Sequence, residues 1–232
     1  MKFGIICAMP EELKELLEHI ENVNEKEIGD KKYYSGTISN QSVVLVESGI
    51  GKVEAGITTE HLITDFDADV VINSGSAGGI GKNQHVGDIV ISTETAYHDV
   101  DARTFDYDYG QLPGQPARFE ASKKWGEALS KAGEKTGLNI EKGLIVSGDQ
   151  FVASKEAIEK IKKFFPDALS AEMEGAAVGQ VANDHHVPYV VVRAMSDTAD
   201  EDAGVSFDEF IIQAGRRSAQ MLLELFNELE KA

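Results

Sequence analysis

Two carboxylates stand two residues apart at the end of an apolar stretch, "LSAEMEGAAVGQV" (169–181), with Met173 between Glu172 and Glu174. Burying such a pair is costly unless something binds it. The ordinary alternative is a helix N-terminus, where the macrodipole favours acidic side chains. Asp197 directly follows the apolar run "VVVRAMS". Partial desolvation there raises a carboxylate's pKa and keeps it protonated, and a protonated Asp can serve as general acid near neutral pH. A capping or turn role within "SDTAD" is the alternative. Arg193, four residues earlier, reads first as an ion-pair partner. A third acidic group, Glu11 and Glu12, follows the opening run "FGIICAM".

Other chemistries find less support. "SGSAGGIGK" fails the dinucleotide pattern G-x-G-x-x-G and the phosphate loop G-x-x-x-x-G-K-[ST], and "SGIGKVEAG" fails both too. Tight turns or close backbone approach to a small ligand explain such glycines. The six histidines show no H-E-x-x-H spacing and have no cysteine partner, so no metal site is expected. No G-x-S-x-G elbow is present for a serine nucleophile. Cys7, the single cysteine, lies in an apolar run and reads as a packing residue. It allows no internal disulfide.

The elements that must position these groups alternate. β-Branched runs at "FGIICAM", "SVVLVES", "ADVVINSGSAGG", "GDIVISTETAYH", "KGLIVSGD", "ALSAEM" and "PYVVVRAMSD" are separated mostly by amphipathic segments. "KKYYSGTIS" and "SVVLVES" predict an antiparallel pair turning at Asn40. With no linker or repeat, the expectation is a single α/β domain over 1–232, its central mixed, mostly parallel sheet flanked by helices. Ligands of such sheets bind beyond the carboxyl ends of the strands. Those ends carry Met9 to Glu12, Ser76 to Gly79, "SGDQFV", "AEMEG" and "RAMSD". Carboxylates at several strand ends point to a site. The segment from Asp99 to Arg118 predicts a long loop.

The formal net charge of -18 argues against nucleic acid and anionic membranes as partners. No apolar segment approaches the roughly 20 residues of a membrane span. With neither a signal peptide nor a disulfide framework, a soluble cytoplasmic protein is expected.

Taken in order, "GIICAMPEE", "SGIGKVEAG", "NSGSAGG", "YHDVDARTFDYDYGQLPGQPA", "GLIVSGDQFV", "AEMEGAAV" and "VVVRAMSD" resemble the 5'-methylthioadenosine/S-adenosylhomocysteine nucleosidase family of the purine nucleoside phosphorylase superfamily. The similarity runs essentially the whole chain. "NSGSAGG" alone would indicate the superfamily; the acidic first loop, "SGDQF" and "AEME" indicate the nucleosidase branch. The resemblance implies a nucleoside phosphorylase-like fold and hydrolysis of the N-ribosidic bond, without a cofactor. Adenine leaves poorly as an anion, so Asp197 matches the acid that protonates N7, and Glu12 matches the group that activates water, in the two-carboxylate logic of inverting glycosidases.

The same resemblance implies that Glu174 accepts the ribose hydroxyls and that Met173 packs on the ribose. Phe151 stacks on adenine and Val152 offers its backbone to the base edge. Ser76, Arg193 and Ser196 match supporting polar positions, with Ala77 and Gly78 beside Ser76. Met9, Ile50 and Phe207 match apolar contacts near the ribose and 5' substituent. Glu172 is expected at the site in a supporting role. A homodimer is implied, with Phe105 and Pro113 of one chain lining the 5'-alkylthio pocket of the other. Cys7 and Pro10 depart from the common pattern and touch none of these roles.

Overall fold

A computed structural model describes residues 1–197 and 203–231, with the backbone alone for 203–209. The chain opens with β1 (Lys2–Cys7) and α1 (Pro10–Leu17), followed by β2 (Glu21–Ile28), β3 (Lys31–Ile38), β4 (Gln41–Glu47) and α2 (Lys52–Thr64). β5 (Val70–Gly79) and β6 (Ile89–Tyr97) lead into the long loop, which contains a 3-10 turn at Arg103–Phe105 and ends at β7 (Phe119–Glu120). Then come α3 (Lys123–Lys135), β8 (Ile140–Ser147), α4 (Lys155–Phe164), β9 (Ala168–Glu172), α5 (Gly175–Asp184), β10 (Tyr189–Asp197) and α6 (Ala203–Lys231).

Local signals explain the boundaries. α1 begins at Pro10, whose fixed φ and missing N–H suit a first helical turn. Ser122 and Ser154 cap α3 and α4 by accepting from the main chain of Trp125 and Ala157. The β3–β4 hairpin turns through Ser39 and Asn40, both at positive φ, as a two-residue turn of matching twist requires.

The sheet order is β10-β6-β8-β9-β5-β1-β4-β3-β2, and β10 also pairs with β5. Strands β5, β10, β6, β8 and β9 therefore close on themselves, while β1, β4, β3 and β2 extend from β5 as an open sheet. Among the described residues five pairings are parallel and five antiparallel, with more residue pairs in the parallel ones, so the sheet is mixed as expected. One expectation needs correction. β2, which sequence reading omits, is an edge strand almost wholly exposed and rich in charge. An edge needs no apolar face, and its charges discourage pairing with other chains.

Two apolar layers bracket the sheet. Phe3, Leu16, Trp125, Leu129, Leu222 and Phe226 pack α1, α3 and α6 on one face. Ala55, Leu62, Ala177 and Val178 pack α2 and α5 on the other. α5 lies close because it is made of small residues. A Cβ on Gly179 would stand 2.6 Å from Thr95 Oγ1 and 2.7 Å from the Tyr189 hydroxyl. That packing sets the start of α5, and with it Glu174, against the strand ends.

Candidate active site

The carboxyl ends of β1, β5, β9 and β10, joined by the segment after β8 and the loop before α2, surround a cavity of about 320 Å3. Its wall holds Glu12, Glu172, Glu174 and Asp197, and among the described lining residues it holds no lysine, arginine or histidine. A concave, largely apolar space with a few convergent polar groups is the usual form of a small-molecule site.

Glu12 is buried and rigidly held. At the third position of α1 its Oε2 accepts from the main-chain N–H of Ala8 (2.9 Å) and Met9 (3.2 Å). Its Oε1 accepts from Ser76 N (2.9 Å) and Ser76 Oγ (3.0 Å). Burial pushes its pKa above the usual carboxylate range, against the pull of Arg193 and the hydrogen bonds from Ser76 and Met9. A carboxyl group of raised pKa at a cavity wall is suited to take a proton from water. The backbone of β5 must pass close for this geometry. A Cβ on Gly75 would lie 2.6 Å from Arg193 Nη1 and 2.7 Å from Glu12 Oε1.

The carboxylate pair divides its labour. Glu172 turns inward, where its two oxygens accept from the main chain of Glu174 (3.1 Å) and Gly175 (2.8 Å), from Ser147 Oγ and from Arg193 Nη2. Ser147 Oγ in turn accepts from Ala176 N at 2.7 Å. Glu172 thus satisfies donors at the start of α5, the helix-terminus role, although it precedes the helix. Glu174 is left facing the cavity. Its Oε1 accepts from Gly51 N (2.8 Å), and its Oε2 lies 3.4 Å from Arg193 Nη2. Burial, then the charge of Glu172, pushes its pKa up to about 7 against the pull of Arg193.

Arg193 is fully buried behind this pair and also donates to Asn73 Oδ1 at 2.6 Å. Burial opposes its charge, but Glu172, Glu174 and Glu12 outweigh that and hold it firmly ionised. It therefore orients the acidic groups without lining the cavity.

Asp197 ends β10, where the register against β5 shifts between Met195 and Asp197. Such a bulge re-aims the side chains that follow it. Asp197 is buried at the cavity wall, and its Oδ2 accepts from Ser196 Oγ at 3.0 Å. Ser196 Oγ also lies 3.4 Å from the Ala77 carbonyl.

The remaining expected residues divide by place. Met9, Ile50, Ala77, Gly78, Phe151, Val152 and Met173 line the cavity, with Phe151 and Ile50 half exposed at its rim. Phe207 lies outside the residues whose side chains are described. Phe105 and Pro113 stand on the surface, away from this chain's own cavity, and Phe105 is 74% exposed. Sequence reasoning missed Gly75, Gly51, Asn73 and Ser147, which support the acidic groups through backbone or buried side chains. Their only signal was position beside the quoted strand ends.

Comparison with known proteins places the chain in a family. A family model described as the phosphorylase superfamily matches residues 2–227. A 5'-methylthioadenosine/S-adenosylhomocysteine nucleosidase of Actinobacillus succinogenes is 46% identical over 230 residues, covering 99% of this chain and all of that one. The chain belongs to this nucleosidase family. Among solved nucleosidase structures, that from S. pneumoniae with the transition-state inhibitor MT-ImmA has a TM-score of 0.95 and 48% identity, covering 99% of this chain and 100% of that one. That from Neisseria meningitidis, in complex with methylthio-immucillin-A, has a TM-score of 0.96 and 46% identity, covering 98% and 99%. The nucleosidase family thus shares the whole fold with this chain, from β1 into α6.

Proposed function

We propose that this chain hydrolyses the N-ribosidic bond of 5'-methylthioadenosine and S-adenosylhomocysteine, and of 5'-deoxyadenosine, to adenine and the corresponding 5-substituted ribose. The observation that carries the reading is the charge of the cavity wall, four carboxylates with no cation among the described lining residues. A phosphorylase must hold an anionic phosphate beside the anomeric carbon, and this wall would repel it. Water needs only a base.

Asp197 donates a proton to N7 as the bond to adenine lengthens, so the base leaves neutral. Glu12 accepts a proton from water as it attacks the anomeric carbon. Glu174 accepts the ribose hydroxyls and, as an anion, favours the positive charge that develops on the sugar. Phe151 stacks on the base. Separate acid and base groups of this kind typically contribute about 100- to 10,000-fold each.

The reading extends to a homodimer acting in the cytoplasm, in the recycling of S-adenosylmethionine by-products and in methionine salvage. The loop between β6 and β7 supports the dimer. Tyr109 anchors it inward, donating to the His98 carbonyl at 2.9 Å and stacking on Phe164, while Phe105 points out. Val53 and Ile57, one turn apart on α2, are exposed as well. Incubation with methylthioadenosine with and without phosphate, followed by identification of the sugar, tests the activity. Free methylthioribose at equal rates is expected. A sugar 1-phosphate or phosphate dependence overturns it.

A further inference from the structure

Ile50, 55% exposed, stands at the rim of the cavity and also lines a second groove of about 900 Å3. Pro10, adjacent to the cavity residue Met9, borders the same groove. The groove runs between α1 and the β3–β4 hairpin, with an apolar floor of Leu13, Leu17 and Tyr34. Its walls carry both signs of charge. Lys31 is already committed, to Glu54 and the Ser48 carbonyl, each at 2.6 Å, and Lys32 to Glu25 at 2.8 Å. Lys14, Glu18 and Glu47 are exposed and have no ion-pair partner among the described residues.

We propose that this groove binds the amino-acid tail of S-adenosylhomocysteine, with the carboxylate toward Lys14 and the ammonium toward Glu47, and so sets the preference between the two thioether substrates. The inference rests on the nucleosidase reading. The two substrates share adenine, ribose and sulfur. Beyond the sulfur one ends at a methyl, whereas the other continues through a short apolar stem to two opposite charges. The stem matches the apolar floor that begins at Ile50. The carboxylate cannot turn back into the cavity, whose wall is acidic, and on a chain of net charge -18 it needs a local cation. Lys14 supplies one. The groove offers an apolar stretch flanked by one free cation, Lys14, and by the free carboxylates of Glu47 and Glu18, so each end of the tail meets an opposite charge.

The test compares three nucleosides on the unmodified enzyme, Lys14→Ala, Glu47→Ala and the double variant: methylthioadenosine, S-adenosylhomocysteine and 5'-butylthioadenosine, whose tail is uncharged. Hydrolysis of methylthioadenosine by the unmodified enzyme checks the underlying reading separately. The ratio of kcat/KM for S-adenosylhomocysteine to that for methylthioadenosine is expected to fall about two- to fivefold for each charge removed, through KM, as for exposed charge pairs. Added salt should lower the same ratio in the unmodified enzyme and much less in the double variant. The butylthio ratio should not follow. A constant ratio for S-adenosylhomocysteine across the variants, or an equal fall for the butylthio compound, overturns the assignment.

Discussion

Glu172 accepts the main-chain N–H of Glu174 at 3.1 Å, so one carboxylate of the pair fixes the backbone from which the other projects. The same group holds Arg193, whose guanidinium reaches Glu174 Oε2. The position of Glu174 therefore depends on a neighbour committed to protein donors.

Glu172→Gln turns one acceptor oxygen into an NH2 group facing donors already in place. Leaving a buried donor unsatisfied costs about 1–3 kcal/mol. Thermal unfolding should shift down accordingly, and KM for methylthioadenosine should rise about tenfold as Glu174 loses its fixed position. A variant with wild-type stability and KM would show that the contacts around Glu172 do not set Glu174.

Asp197→Asn keeps the shape of the side chain but cannot give a proton to the base. Turnover should fall about 100- to 10,000-fold while affinity for the ground-state nucleoside is retained. Glu174→Ala should instead weaken binding and turnover together, because the ribose loses its acceptor. Single-turnover rates with calorimetric affinities separate the two patterns.

Gly75→Ala tests the close approach of β5. The added methyl would meet Arg193 and Glu12 at 2.6 and 2.7 Å, so the strand or the ion cluster must move. Overpacking of this kind costs typically about 1–3 kcal/mol. Activity should fall much further than stability, since Glu12 is displaced at its functional oxygen. Denaturant midpoints and kcat on the same samples check this.

The pH dependence has a defined sign. Burial and the charge of Glu172 push the pKa of Glu174 in the folded state up to about 7, above the ordinary value of 4.5. It contributes stability that is full below about 4.5 and is lost as pH rises through about 7. Glu174→Gln mimics the protonated form, so its melting temperature relative to the unmodified protein should improve between pH 5 and pH 8. On the proposed role of Glu174 the ionised form accepts the ribose hydroxyls, so affinity for nucleoside should rise over the same window. A flat difference in melting temperature would contradict the raised pKa.

Phe105 tests the shared site. Phe105→Ala should raise KM for methylthioadenosine more than for adenosine, which lacks the thioether, because an apolar wall supplied by the second chain is removed. Sedimentation should give a dimer at assay concentration. A fully active monomer, or equal effects on both nucleosides, would refute the arrangement.

Much of this site could be read from residue types. Apolar strands ending in acidic or glycine-rich segments located Glu12, Ser76, Glu174 and Asp197, because a chain spends polar residues at buried strand ends only where something binds. What could not be read were contacts made through space. Gly75 looks like any turn glycine until Arg193 and Glu12 are seen on either side of it, and Gly51 contributes a main-chain amide that any residue type would carry. Glu172 and Glu174 were readable as a pair but not as individuals, since the direction of each depends on where α5 starts. The closed run of strands was hidden because β9 joins β5 through only two residue pairs, Gly78 with Ala171 and Gly79 with Ser170. β2 offered no apolar signal, being an edge strand.

The place of β10 has a consequence for how the protein is made. Of the described strands it leaves the ribosome last, yet it sits between β5 and β6, both completed about one hundred residues of synthesis earlier. Until it arrives, those two strands present unpaired edges in the nascent chain, open to aggregation or to chaperones. Arg193 and Asp197 travel on that same strand, so its insertion closes the run of strands and delivers the last acidic group in one event. Premature termination before Tyr189 is therefore expected to leave open strand edges in a chain that also lacks Arg193 and Asp197.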